Sequence, residues 1–180
     1  MESLREAEEC TQLLTFVIGR EEYAVSIHRT REIIEYPTIT RVPGTPSYIR
    51  GVLNLRGNVV PVVDLAVKFG LSQSPVTNRT CVVILEVEVE GEPAVMGVVA
   101  DAVSQVIELS RDEIEDPPSF GTQVRVDYLL GMGRADQRFV LMLDIDRVLS
   151  EGELLAAAAA EEADAEAPEG DAEPAAASRV

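Results

Sequence analysis

The chain has 180 residues, 46% of them hydrophobic, and a formal net charge of −17 at pH 7. That length and apolar content suffice for one core or two small ones, while the acidic balance argues against binding nucleic acid or anionic lipid through a cationic surface. No apolar run approaches the roughly 20 residues of a membrane-crossing helix, so direct membrane insertion is not expected.

Residues 1–11 read as a polar, disordered lead-in, without the basic and apolar regions of a secretory signal. Cys10 lies in that stretch and Cys81 opens an apolar run, which predicts two reduced thiols in a cytoplasmic protein rather than a disulfide. Leu13 to Ile18 is apolar and β-rich, Gly19 to Glu22 is a turn, and Tyr23 to Ile27 alternates like a half-buried strand. Together they predict a hairpin. A third strand follows over Arg31–Tyr36, and Pro37, Pro43, Gly44 and Pro46 then hold the chain in loops. Val52–Leu55 and Val59–Val63, joined by Arg56-Gly57-Asn58, form a second hairpin, after which Asp64 is suited to cap a short helix that Gly70 ends.

Ser72–Asn78 is a polar linker, and the scheme then begins again. Val82–Val89 and Ala94–Ala100 make a hairpin around Gly91, and Val103, Val106 and Ile107 follow it much as Thr30, Ile33 and Ile34 follow the first. Beyond the Pro117-Pro118 loop, a hairpin containing Gly131 ends at Asp144. Ile145, Val148 and Leu149 then carry helical spacing that can extend through Leu154 and Leu155 into the alanines 156–160. Residues 161–174 are rich in Ala, Glu, Asp and Pro and are expected to be disordered.

An internal repeat stands out. Tyr48, Gly51 and Asp64 recur as Tyr128, Gly131 and Asp144 at a constant spacing of 80 residues. This predicts two similar, mostly β units, a first over about residues 12–71 and a second over about 80–150, with 151–180 as a helix extension and acidic tail.

Catalytic readings of these residues are weak. His28 is the sole histidine and is placed as a turn residue just after a strand, and one His with two distant Cys does not suggest a zinc site. Asp64, Asp101, Asp144 and Asp146 each follow an apolar strand, where a cap or turn role is ordinary. Gly131-Met132-Gly133 lacks the remainder of a phosphate loop. Arg56 sits at a hairpin tip, where a solvated turn residue and an Arg held out to pair with a partner's carboxylate both fit.

From Arg50 through Gly51-Val52-Leu53-Asn54-Leu55-Arg56-Gly57-Asn58 to Asp64-Leu65, the chain resembles the CheW family of chemotaxis coupling proteins. Phe16–Gly19 with Tyr23–Val25, Arg31–Ile34 and Gly97–Val103 carry the likeness over about residues 12–150. The resemblance implies a mainly β fold of two small five-stranded SH3-like barrels related by a pseudo-twofold axis, with short helices. It implies a non-catalytic, cofactor-free, metal-free cytoplasmic adaptor, recruited to receptor arrays at the membrane. Its partners would be the tips of methyl-accepting chemoreceptors and the regulatory domain of the histidine kinase CheA; the alternative is the same coupling in a non-flagellar pathway such as twitching.

Carried over position by position, receptor binding falls on Thr30, Glu32, Ile33, Arg56 and Val103, and kinase or ring contact on Glu115 and Phe120. Thr30 stands where the family has an aliphatic residue, which makes the groove more polar. Glu115 stands where a basic residue can occur, which puts that contact in doubt or implies a partner of opposite charge. The acidic tail lies outside the family pattern.

Overall fold

The structure, a computed structural model, describes residues 10–117 and 126–149. Among these residues, eleven strands make two sheets. In chain order they are β1 Thr11–Ile18, β2 Glu21–Ser26, β3 Thr30–Glu35, β4 Ile49–Leu55, β5 Asn58–Val63, β6 Cys81–Val89, β7 Glu92–Ala100, β8 Ala102–Leu109, β9 Ile114–Glu115, β10 Leu129–Ala135 and β11 Arg138–Leu143. Two four-residue helices, α1 Leu65–Lys68 and α2 Ile145–Val148, follow β5 and β11. His28 lies in a one-turn 3-10 helix, Ile27–Arg29, between β2 and β3.

One sheet has the order β8-β1-β2-β11-β10-β9, the other β3-β6-β7-β5-β4. This corrects the expectation that residues 12–71 and 80–150 each fold into their own barrel. The first hairpin of each half joins the second hairpin of the other half. The joints are parallel: Tyr23 and Ala24 of β2 beside Leu141 and Met142, and Val62 and Val63 of β5 beside Gly97 and Val98. Alternation along a strand fixes which faces are buried, but not which neighbour buries them, so the exchange left no local trace.

Each sheet rolls until its edges meet. In the first, β9 comes almost directly after edge strand β8 and pairs with β10 on the opposite edge. In the second, Thr40, just beyond edge strand β3, bridges to Val52 of β4. Closure of this kind leaves few unpaired backbone groups for another chain to template on.

The core follows from this geometry. Leu53, Val60, Val62, Val82, Ile84 and Val99 fill the five-stranded sheet, and Leu13, Ala24, Leu109, Val140 and Met142 fill the other. A larger cluster lies between the sheets, drawing Phe16, Tyr23, Val63, Val83, Leu85, Val98, Leu141 and Leu143 from both. Strand β6 therefore reads Val82-Val83-Ile84-Leu85 without alternation because both of its faces are buried. Each such side chain contributes about 1.5–3 kcal/mol relative to exposure.

The repeat survives the exchange in detail. The amide of Asp64 donates to the Tyr48 carbonyl at 2.7 Å, and that of Asp144 to the Tyr128 carbonyl at 2.8 Å. Each aspartate then caps its helix, Asp64 accepting from the Val67 amide and Asp144 from the Arg147 amide. Lys68 marks the junction: its ammonium donates to the Val148 carbonyl and lies 4.9 Å from the Tyr48 ring centroid and 5.6 Å from that of Tyr128. Gly51 and Gly131 are equivalent as well, both at register shifts of their hairpins. A Cβ on Gly51 would fall 2.1 Å from the Thr40 carbonyl oxygen, and one on Gly131 2.9 Å from that of Glu115.

The lead-in expected to be disordered over 1–11 is described only at Cys10 and Thr11, and Thr11 already opens β1. The aromatic contact at Phe120 and the helix extension and tail over 151–180 lie outside the described residues.

Candidate protein-docking site

Strand β3 carries three of the proposed docking residues, and its form explains why they face outward. It is an edge strand with a register shift between Thr30 and Glu32, so Arg31 is the extra, bulged residue. Arg31 reaches Glu86 of β6 at 3.1 Å. Beyond the bulge, Ile34 turns into the small core while Ile33 stands 43% exposed. The hydroxyl of Thr30 turns back to donate to the Ser26 carbonyl at 3.3 Å, so the threonine adds less polarity to this face than its chemistry suggests.

Arg56 meets this strand from the far edge of the sheet. Leu55 pairs with Asn58, leaving Arg56 and Gly57 as a two-residue loop with φ of 53° and 86°. Positive φ at both loop positions is the signature of a type I′ hairpin, where Asn or Gly is the comfortable residue. The Gly57 amide donates to the Asn54 side chain at 2.8 Å and fixes the turn. From it, Arg56 donates both guanidinium nitrogens to Glu32, Nη1 to Oε1 at 2.6 Å and Nη2 to Oε2 at 2.9 Å. Those bonds hold the Glu32 carboxyl below the usual carboxylate range, with the charge of Arg56 and then that of Arg31 adding to the effect. Exposed ion pairs contribute about 0–1 kcal/mol to stability. The arginine side chain is 72% exposed. A strained backbone position holding a weakly stabilising pair is poor design for stability and reasonable design for presenting a fork of charge.

Val103 lies on β8 of the other sheet, half-buried against the shared core. It is the counterpart of Thr30: Phe16 pairs with Val103 and Thr15 with Gln105, which repeats the β3 bulge. The structure therefore joins Glu32 directly to Arg56 and places Thr30 and Ile33 on the same strand. A groove using all five residues must span both sheets. Glu115, on β9, is paired with Arg134 at 2.9 Å, so its charge is already matched within the chain.

The four aspartates have structural partners. Asp64 and Asp144 are helix caps, Asp101 accepts from the Gly19 amide at 2.8 Å and the Ser74 hydroxyl at 3.1 Å, and Asp146 accepts from Arg29 and the Glu88 amide. Among the described residues no group of three His, Cys, Asp or Glu side chains is placed to hold a metal ion. Cys10 and Cys81 are not joined in a disulfide, and burial pushes the Cys81 thiol up. No described helix is long and apolar enough to cross a membrane.

Two contacts went unread in the sequence. Arg50 pairs with Asp64 at 2.8 Å with side chains 12% and 4% exposed, and it also donates to the Tyr36 hydroxyl at 2.8 Å. Arg29 forks onto Asp146 at 3.0 and 2.6 Å. For the first, an arginine within the mostly apolar β4 marked a residue in need of a partner but did not say which. A separation of 117 residues hid the second.

Two rolled sheets sharing a core, with a charged fork beside an exposed isoleucine, define a β-barrel module. The chain belongs to the CheW family: a family model described as a CheW-like domain matches residues 12–153. It is 37% identical over 143 residues to the chemotaxis protein CheW of Klebsiella aerogenes, covering 79% of this chain and 84% of that one. It is 34% identical to the chemotaxis protein CheW of Helicobacter pylori, covering 79% and 83%. The solved structure of the scaffolding protein TtCheW from Thermoanaerobacter tengcongensis matches with a TM-score of 0.69 at 27% identity, over 77% of this chain and 87% of that one. This is thus a mainly β chemotaxis adaptor of the CheW type.

Proposed function

We propose that this adaptor couples the cytoplasmic tips of methyl-accepting chemoreceptors to the regulatory domain of the histidine kinase CheA, at arrays on the cytoplasmic side of the membrane. Coupling works by binding alone: contacts that differ between receptor states bias the kinase equilibrium. The observation that carries this reading is the Arg56–Glu32 fork beside exposed Ile33 on an edge strand. A helical receptor tip lays its apolar face on Ile33, the Thr30 methyl and Val103, and the fork sets its register by charge. Glu115 and Phe120 belong to the kinase or ring contact, and the matched charge of Glu115 leaves the aromatic residue as the main anchor there.

The test is capture of receptor and kinase by Arg56→Glu. The substitution sets two carboxylates side by side at an exposed turn, where stability changes little. Receptor capture falls while kinase capture persists. Unchanged receptor capture would remove the assignment of the docking face.

A further inference from the structure

We infer that the Arg29–Asp146 and Tyr36–Arg50–Asp64 contacts are positioning devices for the docking face on β3, an inference that rests on the receptor-docking reading above. An edge strand has a hydrogen-bonded neighbour on one side, and a bulge loosens even that ladder. Strand β3 has both features, since it ends its sheet and shifts register at Arg31. Its shape must therefore be fixed from its ends.

Both ends are fixed by charge. Arg29, the residue before β3, forks onto Asp146 of α2 and donates a further bond to the Glu86 carbonyl at 3.3 Å. Asp146 also accepts from the Glu88 amide at 2.8 Å, so α2, β6 and the entry to β3 share one carboxylate. At the other end, Tyr36 follows β3 and accepts from Arg50, whose guanidinium lies 5.7 Å from the Tyr36 ring centroid. Arg50 is in turn held by Asp64, the cap of α1. The strand is thus clamped at its two ends to the two helices. The first clamp joins the sheets, because α2 emerges from β11 of the six-stranded sheet.

Neither clamp recurs in the other repeat. At the spacing of 80, Arg50 corresponds to Leu130 and Asp146 to Ala66. Leu130 is 61% exposed, and Asp144, the counterpart of Asp64, meets Arg147 of its own helix instead. If the clamps served general barrel stability, a repeat with the same turn glycines, caps and bulge would be expected to need them twice. They occur beside the strand that carries Thr30, Glu32 and Ile33.

The experiment compares full-length wild type, Arg29→Gln, Tyr36→Phe and Arg56→Glu. Each is titrated separately with a soluble helical-hairpin tip of a methyl-accepting receptor and with the isolated regulatory domain of the kinase, alongside thermal melts. Arg29 is partly exposed and Tyr36→Phe removes one hydroxyl, so both variants stay folded. Receptor-tip affinity falls roughly three- to tenfold in Arg29→Gln and less in Tyr36→Phe, while kinase-domain affinity holds within about twofold. Arg29→Lys, which keeps the charge and loses the fork, falls between. Unchanged tip affinity in both clamp variants, with a clear loss in Arg56→Glu, overturns the clamps and leaves the docking face standing. A parallel loss for both partners overturns them too, since that marks general loosening. If Arg56→Glu itself binds the tip normally, the docking reading fails and the inference falls with it.

Discussion

At the residue scale, the Arg56–Glu32 pair proposed above to dock the receptor adds little to stability. Its φ of 53° is a conformation that Asn adopts at lower cost. Arg56→Asn is therefore expected to leave the urea-unfolding midpoint unchanged or raise it slightly, because relieved strain offsets a weak exposed pair. A clear fall in that midpoint would show that the fork holds the barrel shut. The pair also has a defined pH behaviour. A carboxyl whose folded-state pKa is lowered contributes stability above its unfolded pKa and loses it as pH falls through the folded value. The Glu32 carboxyl is lowered chiefly by its bonds to Arg56. The fork should accordingly persist unchanged from about pH 8 to about pH 6, and receptor capture at fixed salt should be flat over that window. A drop on mild acidification would point to another group.

At the element scale, hairpins carry the fold and their bulges carry its shape. Gly51 has φ of 141°, and any Cβ there would meet the Thr40 carbonyl at 2.1 Å, backbone against backbone. Gly51→Ala must push the residue 40 crossing off β4 and break the Thr40–Val52 bridge that closes the barrel. The expected cost is at least about 2 kcal/mol in urea unfolding, the range for strain at a special backbone position. A neutral Gly51→Ala would mean that the crossing is not needed for closure. Much at this scale was legible: alternation marked the hairpins, Asp64 and Asp144 announced their helices, and the spacing of 80 announced the repeat. The Arg50–Asp64 pair was not, because an arginine within an apolar strand gives no hint of whether it points at solvent or at a helix cap.

At the scale of the whole molecule, the exchange of hairpins decides how the protein folds and bears on the coupling proposed above. Residues 11–71 supply β1 to β5, yet those strands divide between the two sheets, and β1 and β2 find their partners among β8 and β11. Neither half can complete a barrel. A fragment of residues 10–75 leaves β3 without β6 and β5 without β7, exposing the Val62 and Val63 that the full chain buries entirely. Separately expressed fragments 10–75 and 76–149 are therefore expected to be unfolded by circular dichroism and amide dispersion, and to regain structure when mixed. The full chain should melt in a single transition, since a shared core ties both sheets together. A folded 10–75 fragment, or two separated melting transitions, would refute the interleaving. The same linkage bears on the coupling proposed above: with Arg29–Asp146 and the Lys68–Val148 contact joining elements from opposite halves, a load on β3 would reach α2 and the six-stranded sheet without passing through residues 72–78. An adaptor made of two contiguous barrels would lack that route and would have to pass every bias between its partners through residues 72–78.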